Sequence, residues 1–561
     1  MNVDYHFRSR RSNVMATHGM VASSQPLATL AGLDMLREGG TAADAAVAVA
    51  VALSVVEPFS TGIGGDCFAL YWDNRQKKVF ALNGSGPAAQ NANIEDILRL
   101  GYSEMPLFTG HAVSVPGTVA GWTALLTRFG KLPLAEVLVP AIQYALEGYP
   151  VTEWVGAGWK LMEGRLLRET VDESLPLHLR RSGPPQPSGH EFLIDGRAPA
   201  VGEVIQLRTL GETLQRIAAE GRDAVYTGKF PQQVCEHVRR YGGWLTPEDM
   251  TGFEAEWVEP ITADYRGVRL YECPPNGQGL AAIMAARIAE GFDLAEMDPV
   301  ERTHTLIECM RLGFTEALLW VADPHFSPAP LEQLLSPAYI RSRREMIRPD
   351  AVISHLETGL RSPGGDTVYL SVVDGEGNAC SFINSLFMGG GTGLVVPGTG
   401  VFLQNRGALF SLDPTHPNAL AGGKRPYHTI IPGMLTKDGE LFASFGIMGG
   451  FMQPQAHLQV LSNLVDLDIN PQQALDMPRF RLNAEDGKGV GADDPGGEVF
   501  MEEGFDAETM AALQKKGHKI TFQGGRQRAQ FGGGQVIRRE PASGVLIAGS
   551  DPRKDGCAMG F

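Results

Sequence analysis

Cysteine is scarce in this sequence. Six stand in 561 residues, at 67, 235, 273, 309, 380 and 557, and no two form a CxxC pair. That spacing excludes a zinc knuckle or a dithiol redox site. The scattered, mostly apolar-flanked thiols fit reduced core residues of a cytoplasmic protein. Positive charge is also outweighed: 48 Lys and Arg stand against 64 Asp and Glu, a formal net charge of −16. Nucleic-acid phosphates demand basic patches, so no nucleic-acid partner is expected. An anionic small substrate is not excluded, because a pocket can be basic inside an acidic protein. Long apolar runs are missing too. The most apolar stretch, AAVAVAVALSVV (45–56), is too short to span a bilayer. The opening MNVDYHFRSRRSNVMATHG has an Arg-Arg pair but no apolar run after it, so no export signal and no membrane association are expected.

Several catalytic signatures are absent as well. There is no HExxH, and the 13 histidines show no ligand spacing, so no metal is expected. The Gly-rich run MGGGTGLVVPGTG (388–400) lacks the GK[ST] ending of a phosphate loop. No GxSxG elbow is present. No cofactor is expected.

What is present is a globular composition, 43% hydrophobic and 20% charged. HGMVASSQPLATLAGLDMLREGG reads as a strand and a helix closed by Gly39-Gly40. Thr41 then opens a second helix, with Asp44 three residues on as in a capping box. That helix is Ala/Val-rich on all sides and should be deeply buried. GIGGDCFALYWD and VFALNG read as a hairpin, and residues 100–235 as mostly helical. The Pro- and Gly-rich stretch 182–200 reads as a surface excursion. ITADYRGVRLYECPP is a strand pair, and 278–320 is helical again. From 367 to 460 short strands with Gly-rich turns dominate, followed by one helix near 453–466. Hairpins and helices in these proportions predict an α+β fold of stacked antiparallel sheets covered by helices.

The stretch SPGGDTVYLSVVDGEGNACSF (362–382) places two glycines, Asp366 and Thr367 directly before a strand. TVYLSVVD alternates as a strand, DGEGN is a turn and ACSFI the partner strand. Taken alone, the joint is ordinary turn chemistry. It is also what a threonine nucleophile requires. A Thr that becomes an N-terminus has its own α-amine, with a reference pKa near 8, as the adjacent base. The same hydroxyl can attack the Asp366 carbonyl, giving an ester that water hydrolyses. Gly364 and Gly365 tolerate the strained backbone that this attack needs.

The rest of the chain agrees by resemblance. GMVASSQPLATLAGLDMLREGGTAADAAVAVAVALSVVEP, GHAVSVPGTVAGW, WLTPEDMTGF, YRGVRLYECPP, DTVYLSVVDGEGNACSF, KRPYHTIIPGML and GSDPRKDGCAMGF occur in order. Together they resemble the γ-glutamyltransferase family of N-terminal-nucleophile hydrolases over nearly the whole length. The resemblance implies a four-layer αββα sandwich. It implies cleavage before Thr367 into a large subunit 1–366 and a small subunit 367–561, which together form one composite domain. A dimer of two such pairs is the expected oligomer. Thr367 falls on the nucleophile and Ser385 on a hydroxyl position beside it. Gly449 and Gly450 fall on the paired glycines whose N–H groups form an oxyanion hole.

The departures from the family pattern concern the substrate. The Arg that holds a γ-glutamyl α-carboxylate is Asn83 here, and the matching Ser pair is His428-Thr429. The three positions that hold the α-ammonium group fall, by ungapped counting, on Phe387, Arg406 and Leu409. On this reading the ammonium site has lost its carboxylate and gained a guanidinium. The acyl specificity is therefore expected to have moved away from γ-glutamyl, toward small-molecule amides whose acyl part lacks an ammonium. Glutaryl amides, as in the family's cephalosporin acylases, and oxamate, as in its oxamate amidohydrolase, are examples. A carboxylate on that acyl part would be held by Arg406. An ion pair within the loop is the structural alternative for Arg406, and packing is the alternative for His428 and Tyr427. Two alternatives stay open for the whole chain: a true γ-glutamyltransferase with rebuilt contacts, and an inactive member serving as a binding protein.

Overall fold

The computed structural model describes residues 11–168, 172–181, 183–354, 356, 366–482 and 498–561, with the side chain of Asp366 outside that set. Two seven-stranded sheets, antiparallel throughout, form its centre. In one, the strand order is Cys557–Gly560, Met20–Ser23, Asp366–Val373, Ala379–Phe387, Asp66–Asp73, Lys78–Gly84 and Glu256–Val258. In the other it is Val14–Ala16, Leu546–Ser550, Gly533–Arg539, Glu440–Met448, Gly433–Lys437, Val268–Glu272 and Ile261–Tyr265. Both sheets mix strands from before and after residue 366.

Period-two alternation explains the layering. On the Asp366–Val373 strand, Val368, Leu370 and Val372 join an apolar cluster shared with the Pro26–Arg37, Ala42–Val56 and Thr118–Phe129 helices. Tyr369 and Val373 face the other way, into a cluster between the sheets with Phe68, Leu70, Trp72, Met434 and Ile537. A third cluster joins the far sheet to the Gly279–Ala289, Pro299–Trp320 and Met452–Val465 helices. Three apolar seams separate four layers, which is the expected αββα sandwich.

The Ala42–Val56 helix is buried at every position. The Thr41 hydroxyl accepts from the N–H groups of Ala43 and Asp44, and Asp44 accepts from the Thr41 N–H, so the capping box forms. Asp374, in the turn after the Asp366–Val373 strand, accepts from the Ala42 N–H at 2.9 Å. The turn is thereby fixed to the end of the deepest helix. Helix termini leave donors that must be satisfied, and here the satisfaction also positions the hairpin.

The expected surface excursion is present but anchored. Residues 183–200 expose Gly183, Pro185, Pro187, His190 and Asp195 to Arg197, and are pinned at a few buried side chains. Phe192 is fully buried, and its carbonyl accepts from Trp159 Nε1 at 2.6 Å. The buried Gln186 amide donates to the carbonyls of Leu166 and Gly393 and accepts from the Val395 N–H. Pro and Gly excluded regular helix here; side-chain anchoring, which composition does not report, sets the depth. The six cysteines are free thiols, five of them buried. Among the described residues no helix is long and apolar enough to cross a membrane. The Gly364-Gly365 joint lies outside the described residues.

Candidate active site

The same alternation gathers the predicted site. Tyr369, Ile383, Phe68, Ala81 and their alternates face the gap between the sheets. Thr367, Ser385, Asp66 and Asn83 have the matching parity and stand at one end of four neighbouring strands. Ser385 lies directly across from Asp66. The Thr367 and Ser385 hydroxyl oxygens are 3.2 Å apart, both fully buried. Ser385 Oγ also accepts from the Phe387 N–H at 2.8 Å. This bond supports Phe387 in the left-handed region, at φ 78°, where a bulky residue is a genuine outlier.

Contacts across the gap set what faces Thr367. Ser371 donates to Ser444, and the Tyr369 ring packs on Gly446, so a shift of two residues on one strand matches two on the other. The facing strand ends at Met448, and the strand that carries Thr367 has a register shift between Asp366 and Val368. Gly449 (φ 129°) and Gly450 (φ 60°) both need the conformations that glycine supplies. The Gly449 carbonyl accepts from the Met452 N–H at 3.0 Å, so the Gly450 N–H in the same peptide points the opposite way. Neither glycine N–H donates to an acceptor among the described residues. Two adjacent free donors at the end of a strand are the raw material of an oxyanion hole.

A buried charge cluster backs this row. The carboxylate of Asp66 meets Arg406 Nε and a terminal nitrogen at 3.3 and 3.4 Å. His428 Nε2 lies 2.6 Å from Asp66 Oδ2. Arg406 also donates to Thr429 Oγ1 at 2.7 Å, and its guanidinium covers the Phe387 ring at 4.7 Å. All four polar side chains are fully buried. Burial pushes the Asp66 carboxyl up, but Arg406 and His428 together outweigh it and hold it below its ordinary value. Burial, and then the nearby Arg406, push His428 down to about 4 against the pull of Asp66. His428 Nδ1 accepts from the Ile430 N–H, so Nε2 carries the proton and faces Asp66.

This arrangement revises the reading of Arg406. Its guanidinium is not a free anchor waiting for a carboxylate; it is ion-paired to a residue 340 positions earlier. The carboxylate thought lost from this region is supplied by Asp66. Sequence reasoning missed it, although a signal existed. Asp66 is a charge heading the apolar strand DCFALYWD, and a buried carboxylate requires a partner. Asn83 is likewise engaged: it donates to Asn276 Oδ1 and accepts from the N–H and hydroxyl of Ser85. Asn276 in turn donates to the Pro426 carbonyl, joining Asn83 to the segment that carries His428 and Thr429. Leu409 and Tyr427 are buried in the helix-side core.

Metal-ligand composition occurs elsewhere, at His304, Glu308 and His518. His304 Nε2 meets the Arg348 carbonyl and Nδ1 meets His518 Nε2, both at 2.7 Å. Glu308 accepts from Arg311 and from the Ile353 N–H. These ligand atoms are committed to protein partners beside a buried guanidinium, so the cluster reads as a structural anchor.

A buried neutral His428 gives a pH prediction. Between its ordinary value of 6.5 and about 4 the unfolded chain binds a proton there that the folded chain does not. Stability should therefore fall as pH drops through that window, by on the order of 3 kcal/mol for this group. His111 and His237, also lowered to about 4 by burial, act in the same direction. Denaturant melts at pH 7 and pH 4.5 should show the loss, and His428→Gln should reduce it by one histidine's share. An unchanged difference in the variant would contradict the assignment.

Comparison with known proteins gives consistent relatives. The family model for gamma-glutamyltranspeptidase matches residues 28–561. The chain is 35% identical over 555 residues to the Glutathione hydrolase-like YwrD proenzyme of Bacillus subtilis, covering 98% of this chain and 99% of that one. It is 31% identical over 558 residues to the Oxamate amidohydrolase proenzyme of Klebsiella pneumoniae, covering 98% and 100%. Among solved structures, a cephalosporin acylase from Bacillus halodurans superposes with a TM-score of 0.90 at 44% identity, covering 100% of this chain and 99% of that one.

Proposed function

The chain belongs to the gamma-glutamyltranspeptidase family, and from that premise we propose a self-processing amide hydrolase whose nucleophile is Thr367. The observation that carries the proposal is the Thr367 hydroxyl, fully buried at a strand end and 3.2 Å from Ser385 Oγ. Maturation begins when Thr367 Oγ attacks the Asp366 carbonyl carbon. The peptide nitrogen leaves as the new α-amine of Thr367, and water hydrolyses the resulting ester. This yields a large subunit 1–366 and a small subunit 367–561.

In turnover the Thr367 amine takes the Oγ proton, directly or through a water. Oγ attacks the substrate amide carbonyl, and the electron pair moves onto its oxygen, which the Gly449 and Gly450 N–H groups hold. Collapse expels the amine, which takes the proton back from the Thr367 ammonium. Water, or an acceptor amine, then attacks the acyl ester. Ser385, which accepts from the Phe387 N–H, lies within hydrogen-bond distance of Thr367 Oγ and orients it.

The acyl group should lack an ammonium. Asp66 is already shared between Arg406 and His428, so an ammonium would meet a guanidinium with no carboxylate to spare. Discrimination thus arises more from rejecting an ammonium than from attracting a carboxylate. Glutaryl and oxamate-like amides fit, the latter in line with the name of one relative. The expected result is that glutaryl-p-nitroanilide is hydrolysed about 10- to 100-fold faster than γ-glutamyl-p-nitroanilide, the worth of one or two charged contacts. A γ-glutamyl reading has one observation in its favour, the presence of Asp66 in the cluster, and faster turnover of the γ-glutamyl anilide would select it. A single uncut chain that turns over neither anilide would select the binding-protein alternative.

A further inference from the structure

We infer that Gln278 is a positioning residue for the oxyanion site, acting as a tie between the 427–429 segment and the Gly449-Gly450 turn; this rests on the proposed function above. Gln278 lies in CPPNGQG, at the start of the Gly279–Ala289 helix, and is fully buried. Its amide nitrogen donates to the Thr429 carbonyl at 2.5 Å and to the Gly450 carbonyl at 3.0 Å. Both amide protons are therefore spent on main-chain oxygens from two different segments. Because both of those partners are carbonyls, which only accept, the nitrogen end of the amide is fixed, and its Oε1 accepts from the Tyr427 hydroxyl at 3.1 Å. The Tyr427 ring, also buried, stacks on Phe451 at 5.7 Å, next in sequence to the glycine pair.

The backbone of the same segment is clamped as well. Gln278 N–H donates to the His428 carbonyl, and His428 N–H donates to the Asn276 carbonyl, each at 2.9 Å. The 427–429 segment is thus fixed to residues 276–278 through an isolated bridge, and the Gln278 side chain extends that fixation to Gly450.

Two adjacent glycines have no Cβ to restrict them and lose more conformational freedom on ordering than any other pair. Their N–H groups must nevertheless be aimed before charge develops on the substrate oxygen, because an oxyanion site works by being preorganised. The Gly449 carbonyl is held by the Met452 N–H, and the Gly450 carbonyl by the Gln453 N–H at 3.2 Å. Those bonds come from the same short segment and can rotate with it. Gln278 adds the bond from outside, and so references the glycine pair to the segment carrying His428 and Thr429.

The test uses the mature enzyme with Gln278→Met, which keeps volume but no hydrogen bond, and Tyr427→Phe, which frees Oε1 alone. Four quantities are measured: kcat and KM for whichever anilide the wild type turns over faster, and inhibition by 4-boronobutanoate and by glutarate. The boronate forms a tetrahedral adduct with a nucleophilic hydroxyl and occupies the oxyanion position; glutarate does not. Gln278→Met is expected to lower kcat about 10- to 100-fold with KM within about 2-fold. Boronate affinity should fall by a similar factor while glutarate affinity stays. Tyr427→Phe should shift both in the same direction by a smaller factor, and decides the matter if Gln278→Met does not fold. A purely structural role would lower the melting temperature without changing the boronate-to-glutarate ratio. An unchanged ratio in the folded variants overturns the inference. Boronate affinity that needs Thr367 but not Gln278 overturns the positioning role alone. Boronate affinity that survives Thr367→Ala overturns the nucleophile assignment and this inference with it.

Discussion

Thr367→Ala is expected to yield one uncut chain and no measurable amide hydrolysis, a loss of at least about 10³-fold. The reason is that one atom serves both steps. Without Oγ there is no group to attack the Asp366 carbonyl, so the α-amine that would act as base is never released. The two losses should therefore appear together on a denaturing gel and in the anilide assay. Thr367→Ser keeps a hydroxyl and should retain both steps at reduced rate. Ser385→Ala removes only the neighbour 3.2 Å away, and should slow both without abolishing either. Turnover in Thr367→Ala would show that another group is the nucleophile.

The second large effect is on stability. Asp66→Asn should destabilise the protein by about 3–5 kcal/mol, because it leaves the Arg406 guanidinium buried without its counter-charge. Arg406 cannot shed its proton to relieve this, and its position at zero exposure denies it water. The double variant Asp66→Asn/Arg406→Gln removes both charges and should recover much of the loss, which distinguishes an ion pair from a simple packing defect. Chemical unfolding of the three proteins measures the comparison. A single variant as stable as the wild type would mean that the pair carries no weight. The same variants report on specificity. Removing Arg406 should narrow the preference for glutaryl over γ-glutamyl, since the rejected ammonium then meets no like charge.

Local chemistry was legible where it depends on neighbours in sequence. The Thr41 and Asp44 capping box, the all-round burial of the Ala42–Val56 helix and the hairpin after Thr367 all follow from spacing. The position of Thr367 at a strand end is part of that hairpin. Its company is not. Asp66 and Arg406 meet across 340 residues, and Gln278 reaches Gly450 across 172. A single sequence contains no record of which distant strands become adjacent. It can say that Asp66, a carboxylate opening a strand as apolar as DCFALYWD, must find a cation, but not which one. The same limit explains Asn83. Counting by motif assigned it to the substrate; its bond to Ser85 is local, whereas Asn276, which accepts from its amide, is 193 residues away and enters only through the fold.

The inter-sheet face is mostly apolar, with Ser371, Ser381 and Ser444 buried and hydrogen-bonded within it. Toward the end that carries Thr367 the hydroxyls, amides and the Asp66–Arg406 pair gather.

The claim that Thr367 becomes an N-terminal nucleophile is tested most directly by the intact masses of the chains in the purified wild-type protein. The account predicts two chains whose masses place the break between Asp366 and Thr367, with Thr367 as the first residue of the smaller. A single 561-residue chain that hydrolyses either anilide, or a break at any other bond, would contradict it.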